Sequence, residues 1–410
     1  MFKDKKFPVG FYWGAATASY QVEGGIENCD WAEAARARRV PVCGRACDHY
    51  NRYEADFDIA KSLGHNAHRF SVEWARIEPL PGQFNQAAIE HYRNVLRALK
   101  ERGITPFVTL WHFTLPLWFS EQGGFESADA PAIFARYAAF VVDALGEDCT
   151  HFATLNEPNV YATHGYLYGA WPPFKRGKFL WKKIGKEDGT SEKTRADARF
   201  SNFFAYTRVT RHLALAHNQA FDAIKAVRPD TVISVVKHVH YFNADTHIFN
   251  RLKMRIAAYL QTYSFMNRVA AKCDEIGLNY YRHTKFGENQ NYLHTDMEWD
   301  VYPNGIFGAI MMLHRYKKPI FIAEAGLADE KDTLRADYIR VQVLAVYKAI
   351  EAGADVRGHM YWSLLDNYEW ALGFQKRFGL IAIDYESLER TIRPSAYVYK
   401  QICEANAIVE

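Results

Sequence analysis

The sequence predicts a closed (β/α)8 barrel, on three observations. Eight short apolar runs recur along the chain; longer segments of helical periodicity separate them; and no Gly-rich phosphate loop follows the first run, as an open nucleotide-binding sheet would require. In order, the runs are "GFYWGAA" (10–16), "AHRFSV" (67–72), "ITPFVTLW" (104–111), "HFATLN" (151–156), "TVISVVKH" (231–238), "EIGLNYY" (275–281), "PIFIAEA" (319–325) and "RGHMYWSLL" (357–365). Each is six to nine residues long with few charges, the pattern of a strand buried on both faces in a parallel sheet. The intervening "AAIEHYRNVLRALKERG" (87–103) and "APAIFARYAAFVVDALG" (130–146) repeat apolar residues at three- and four-residue spacing and end in Gly, which marks amphipathic crossover helices.

Composition narrows the function classes. The chain has 410 residues, 49% hydrophobic and 24% charged, with a formal charge of +3. That is enough chain for a large core, and one barrel catalytic domain over residues 1–410 is expected. The small net charge and the lack of a long basic run argue against a nucleic-acid partner. No run of eighteen apolar residues occurs, and "MFKDKKFPVG" lacks the apolar centre of an export signal, so a cytoplasmic enzyme without a membrane partner is expected. The Lys-, Arg- and Gly-rich stretch at about 175–199 breaks the rhythm after the fourth strand. It reads as an exposed excursion, either a solvated loop or a wall over the barrel mouth. The six cysteines are scattered, as reduced thiols would be. Cys43, Cys47 and His49 lie close in sequence, but their spacing matches no compact zinc pattern. No metal and no organic cofactor is expected.

In a barrel of this class the chemistry belongs at the C-terminal ends of the strands. Two carboxylates stand there: Glu157, directly after "HFATLN", and Glu324, inside "PIFIAEA". A charge that ends an otherwise apolar strand can be a simple polar cap. Two of them on the fourth and seventh strands, facing one mouth amid aromatic residues, are the apparatus of glycoside hydrolysis: one carboxyl protonates the leaving oxygen, and the other attacks the sugar carbon or activates water.

Beyond these carboxylates, the chain resembles glycoside hydrolase family 1, the group containing most β-glucosidases. The likeness rests on "FYWGAATASYQVEGG", "HRFSVEWARIEP", "TLWHFTLPLW", "TLNEPNV", "IGLNYY", "IAEAG", "YWSLLDNYEWALGFQKRFGL" and "RTIRPSAYVYKQI", which keep the family's order over nearly the whole chain. The resemblance implies a retaining mechanism with Glu157 as acid/base and Glu324 as nucleophile. Arg69 and Tyr281 would contact the nucleophile, and the carboxyl groups would lie about 5 to 5.5 Å apart. It also implies that Gln21, His112, Asn156, Glu369 and Trp370 bind the sugar hydroxyls and that Trp362 stacks beneath the ring. Amides, imidazole and carboxyl read hydroxyls, while indoles cover C–H faces.

The implied substrates are small β-glycosides or short oligosaccharides. Glu369 stands where the branch acting on 6-phosphorylated sugars lacks an acid, which points to unphosphorylated β-glucosides, β-galactosides or β-fucosides. Glu157 likewise argues against the thioglucosidase branch, where Gln replaces the acid. Three features depart from the family pattern: Ala323 and Ala325 flank Glu324 in place of the polar residues of "TENG", Phe113 replaces a common Trp, and the chain is short. The alternative consistent with those flanks is a catalytically weak or inactive glycan-binding barrel.

Overall fold

In the computed structural model, which describes residues 5–175, 203–287 and 291–409, eight parallel strands close on themselves. They are β1 Tyr12–Ala16, β2 Ala67–Ser71, β3 Thr105–Trp111, β4 His151–Asn156, β5 Val232–His238, β6 Glu275–Tyr280, β7 Ile320–Ala325 and β8 Val356–Trp362. Every one falls on an apolar run, and each pairs with its neighbours in chain order, β8 closing on β1. A principal helix follows each strand: α1 His49–Ser62, α2 Gln86–Glu101, α3 Ala130–Leu145, α4 Phe203–Val227, α5 Ile248–Ala258, α6 Gly305–His314, α7 Arg335–Glu351 and α8 Pro394–Ala405. The predicted excursion at 175–199 lies outside the described residues except for Lys175, which pairs with Glu126.

Local chemistry explains the boundaries. Asn85 caps α2 by accepting from the Ala87 and Ala88 amides, and Pro131 and Pro394 sit in the first turns of α3 and α8, where no amide hydrogen is needed. Inside the barrel Ala16, Ala67, Phe107, Ala153, Val236, Phe321, Ala323, Met360 and Trp362 pack together. β6 contributes Gly277, where a Cβ would lie 2.7 Å from Val236 Cγ2 and 3.2 Å from the Phe321 ring. A ring of small residues around two phenylalanines fills the interior without forcing it open. The larger core lies between the strands and the outer helices, with Trp13, Leu96, Val141, Ile224, Ile310 and Val346 among its buried members.

The loop after β8 is anchored from below. Asp366 is fully buried, accepts from Arg393 Nη1 and Nη2 at 2.9 Å each, and accepts from the Gly379 amide at 2.8 Å. This bidentate pair joins the loop to the residue before α8. Asp366→Asn leaves the buried Arg393 guanidinium without its counter-charge, and we expect a loss of about 3–5 kcal/mol in unfolding free energy by urea titration. A variant within 1 kcal/mol of wild type, on the same scale of effects, would show the pair to be dispensable.

Candidate active site

Strand register brings the site together. Ala16 pairs with both Arg69 and Trp362, Asn279 pairs with Glu324, and Tyr361 pairs with Ala325, so the C-terminal ends of β1, β2, β6, β7 and β8 present these residues at the same end of the barrel. Glu157 is the first residue past β4. Its φ of 45° and ψ of 53° put it in the left-handed region, which a non-glycine residue enters at a cost, and its amide donates to Val236 O at 2.9 Å. The residue that bears this strain carries one of the two carboxyls at the mouth. Just beyond Glu324, Gly326 runs so close to β8 that a Cβ would fall 2.0 Å from Trp362 O.

A hydrogen-bonded path connects the two carboxyls. Arg69 Nη1 donates to Glu324 Oε1, and Tyr281 Oη donates to Glu324 Oε2 at 2.7 Å. Arg69 Nη2 donates to Asn156 Oδ1 at 2.8 Å, and its Nε to Thr109 Oγ1 at 3.0 Å. Asn279 Nδ2 spans Asn156 Oδ1 at 3.3 Å and Glu157 Oε1 at 2.8 Å. Each fork of the guanidinium is thus occupied, which fixes its plane and with it the orientation of Glu324.

The two acids sit in different surroundings. Burial, followed by the charge of Glu324, pushes the Glu157 carboxyl up to about 8, against the opposing pulls of Asn279, Lys237 and Arg69. Glu324 instead is bonded to the buried Arg69 guanidinium through one oxygen and to the Tyr281 hydroxyl through the other. Two carboxyls whose environments separate in this way can hold one proton between them on a defined member of the pair.

The remaining predicted residues have these contacts. Gln21 is fully buried; its Nε2 donates to Asn367 Oδ1 at 3.0 Å and to Tyr368 O at 2.8 Å, and its Oε1 has no partner among the described residues. His112 Nε2 accepts from Asn156 Nδ2 at 3.1 Å, which assigns the proton to Nδ1, an atom also without a partner there. Burial, then the charge of Arg69, keeps this imidazole neutral. The His112 ring lies nearly parallel to Trp362, 17° at 6.0 Å, and to Trp370, 13° at 6.1 Å. Trp370 is backed by Trp31, Phe113 and Trp171 at 4.8, 5.1 and 5.7 Å. Phe113 is therefore a packed wall residue here. Glu369, partly buried, is pushed up to about 8 by burial and then by Glu324. A protonated Glu369 would donate to a sugar hydroxyl, and it offers a phosphate no positive charge.

Sequence reasoning missed two residues. Asn279 bridges the carboxyl pair from within the quoted "IGLNYY", and Lys237 is a fully buried amine at the end of β5 whose charge acts on Glu157. Both interrupt apolar runs as Glu324 does, and that shared signal could have identified them. Lys237 Nζ donates to His238 O, and burial pushes it down to about 7.

The cysteine cluster is occupied otherwise. Cys43 Sγ donates to Tyr20 O and Cys47 Sγ to Asp366 O, each at 3.0 Å, while His49 Nδ1 meets Asp56 Oδ2 at 2.7 Å. Burial raises both thiols, so they are protonated donors and not metal-binding thiolates. Among the described residues no group of three or more His, Cys, Asp or Glu could hold a metal ion. Nor is any described helix long and apolar enough to cross a membrane.

The profile of Glycosyl hydrolase family 1 matches residues 3–269 and 253–408. Beta-glucosidase A of Thermotoga maritima is 31% identical over 98% of this chain and 99% of its own length. Among solved structures, a beta-glycosidase from Pyrococcus horikoshii superposes with a TM-score of 0.88 at 34% identity, covering 100% of this chain and 97% of that one. Beta-glucosidase from T. maritima in complex with glucoimidazole gives 0.88 at 29% identity, covering 98% and 100%.

Proposed function

Because the chain belongs to glycosyl hydrolase family 1 and is a glycoside hydrolase, we propose that it is a retaining exo-β-glycosidase of unphosphorylated β-D-glucosides, accepting β-galactosides and β-fucosides as further substrates. The observation that carries this reading is the contrast between the two carboxyls: Glu157 is pushed toward its neutral form, and Glu324 is held by Arg69 and Tyr281. The binding of glucoimidazole by a relative supports a glucose-sized ligand.

The sugar would stack on Trp362, with its hydroxyls met by Gln21, His112, Glu369 and Trp370. Glu324 attacks the anomeric carbon as the bond to the leaving oxygen breaks, and Glu157 delivers its proton to that oxygen. The result is a glycosyl ester on Glu324 and a free alcohol. Esterification removes the Glu324 charge, one of the causes holding Glu157 protonated, so Glu157 becomes more acidic and can take a proton from water. Hydroxide character at that water releases the sugar with its configuration retained and restores both carboxyls. Asn156, held by Arg69 and Asn279, would meet the 2-hydroxyl, where binding strengthens in the transition state.

The test is hydrolysis of nitrophenyl β-glucoside, β-galactoside and β-fucoside, with the anomer of the first product read by NMR. An α-configured first product, or no turnover on any of the three sugars, would reject the reading.

A pH prediction follows. The general acid must be protonated, so kcat/KM should fall as pH rises through about 8. Lys237 is pushed down to about 7 and is mostly neutral where Glu157 titrates, so Lys237→Met should move that alkaline limb upward only slightly. A downward shift in Lys237→Met would show that Lys237 acts on Glu157 by something other than its charge.

A further inference from the structure

Helix α5 is built inside out. Its inward, partly covered positions are Asn250, Met254, Ala257 and Ala258, whereas its large apolar residues face outward. Ile248, Phe249, Leu252 and Ile256 are 69%, 65%, 52% and 50% exposed, and Tyr259 and Leu260 in the helical turn that follows are each 54% exposed. At about 100° per residue, Ile248, Phe249, Leu252 and Ile256 fall within a sector of roughly 100°. Arg251 and Arg255 border one side of that stripe and Lys253 the other. No Asp or Glu occurs from Ile248 to Val269. A helix that only packed against the barrel would show the reverse pattern.

The position of the helix adds to this. The short strand Tyr241–Ala244 continues beyond the end of β5, pairs with His283–Phe286 beyond the end of β6, and carries α5 packed on it. The exposed face therefore lies on the side of the barrel where the carboxyl pair opens.

From this arrangement we propose that the outward face of α5 docks on an anionic lipid bilayer surface, with the apolar stripe entering the acyl boundary and Arg251, Lys253 and Arg255 meeting the headgroups. A broad apolar stripe between basic borders is the pattern of a helix lying in the membrane interface. A second copy of the chain fits less well, because two such faces would oppose cation to cation. The chain's own residues 176–202 also lack the complementary charge, with eight Lys or Arg against four Asp or Glu. Docking of this face on lipid runs against the composition-based expectation of no membrane partner, because total charge and run length do not register which side of a helix is covered.

The test uses the full chain in co-sedimentation with large unilamellar vesicles of phosphatidylcholine, alone or mixed with phosphatidylglycerol. Wild type should bind the mixed vesicles and lose binding as salt rises. Leu252→Ser/Ile256→Ser and Arg251→Glu/Lys253→Glu/Arg255→Glu should each weaken that binding about tenfold or more, since each removes one half of the attraction. Turnover of a soluble nitrophenyl glucoside, expected to stay unchanged, checks that the variants fold. Wild type that does not sediment with mixed vesicles, or variants that bind as tightly as wild type, would overturn the proposal. So would a wild-type dimer, seen by light scattering, that the serine variant converts to monomer. The vesicle measurement requires no turnover, so its failure would leave the glycosidase reading intact.

Discussion

Replacing Glu324 by Gln should lower kcat/KM by roughly 10⁴-fold or more, a loss of about 5.5 kcal/mol of transition-state stabilisation. The amide cannot form the glycosyl ester, and it leaves the guanidinium of Arg69, buried and bonded to Glu324 Oε1, without its counter-charge. The same step gives a second readout. Incubated with a 2-deoxy-2-fluoro-β-glucosyl fluoride, wild type should gain one fluoroglycosyl unit by intact mass spectrometry, and proteolysis should place it on Glu324. Because the variant also disturbs a buried ion pair, its melting profile must be compared with that of Glu324→Asp, which keeps the charge and withdraws the carboxylate. A label on another residue, or a Gln variant within tenfold of wild type, would remove Glu324 from the reacting position.

Glu157→Gln should separate substrates by their leaving groups. On an alkyl glucoside, whose alkoxide needs a proton to depart, the rate should fall by about 10²–10⁴-fold. On a dinitrophenyl glucoside the first step should be nearly spared, and the alkaline limb near 8 should disappear, because the carboxyl that titrates there is gone. Added azide should restore turnover of the activated substrate by attacking the intermediate in place of base-activated water, giving a β-glycosyl azide. The side-chain amide keeps an oxygen for Asn279, so the path to Asn156 need not collapse. Equal losses on both substrates with the limb unchanged would show that Glu157 positions the sugar but does not transfer the proton.

The flanks of Glu324 bear on how fast the enzyme is. Ala323 and Ala325 are both fully buried, and the part of this segment that meets Arg69, apart from the carboxylate, is the Ala323 carbonyl at 3.5 Å. A main-chain carbonyl is available whatever the side chain, so the contact survives the loss of polar neighbours. This is why the reading as an inactive binding barrel gains nothing from the geometry.

The strands were legible because a parallel barrel buries both faces of each one, which writes the whole element as an apolar run, and the eight runs are the eight strands. Glu157 and Glu324 were legible for the complementary reason: a carboxyl at the end of such a run needs an explanation. Asn279 was hidden by type, since an uncharged amide in a strand raises less alarm than a glutamate. Lys237 was hidden by its position at the end of a run, where a solvated amine is the ordinary expectation. The exposed stripe of α5 was hidden because the same periodicity serves a helix facing inward or outward.

By itself, then, the sequence determined the barrel, its order and the two carboxyls, because period, length and local composition are properties of neighbours along the chain. The tertiary structure decided which acid is pushed toward its neutral form, which amide bridges the pair and which face of α5 meets solvent. Those outcomes depend on register and burial between segments as far apart as Arg69 and Glu324, whose charges meet only when β2 and β7 close into one ring.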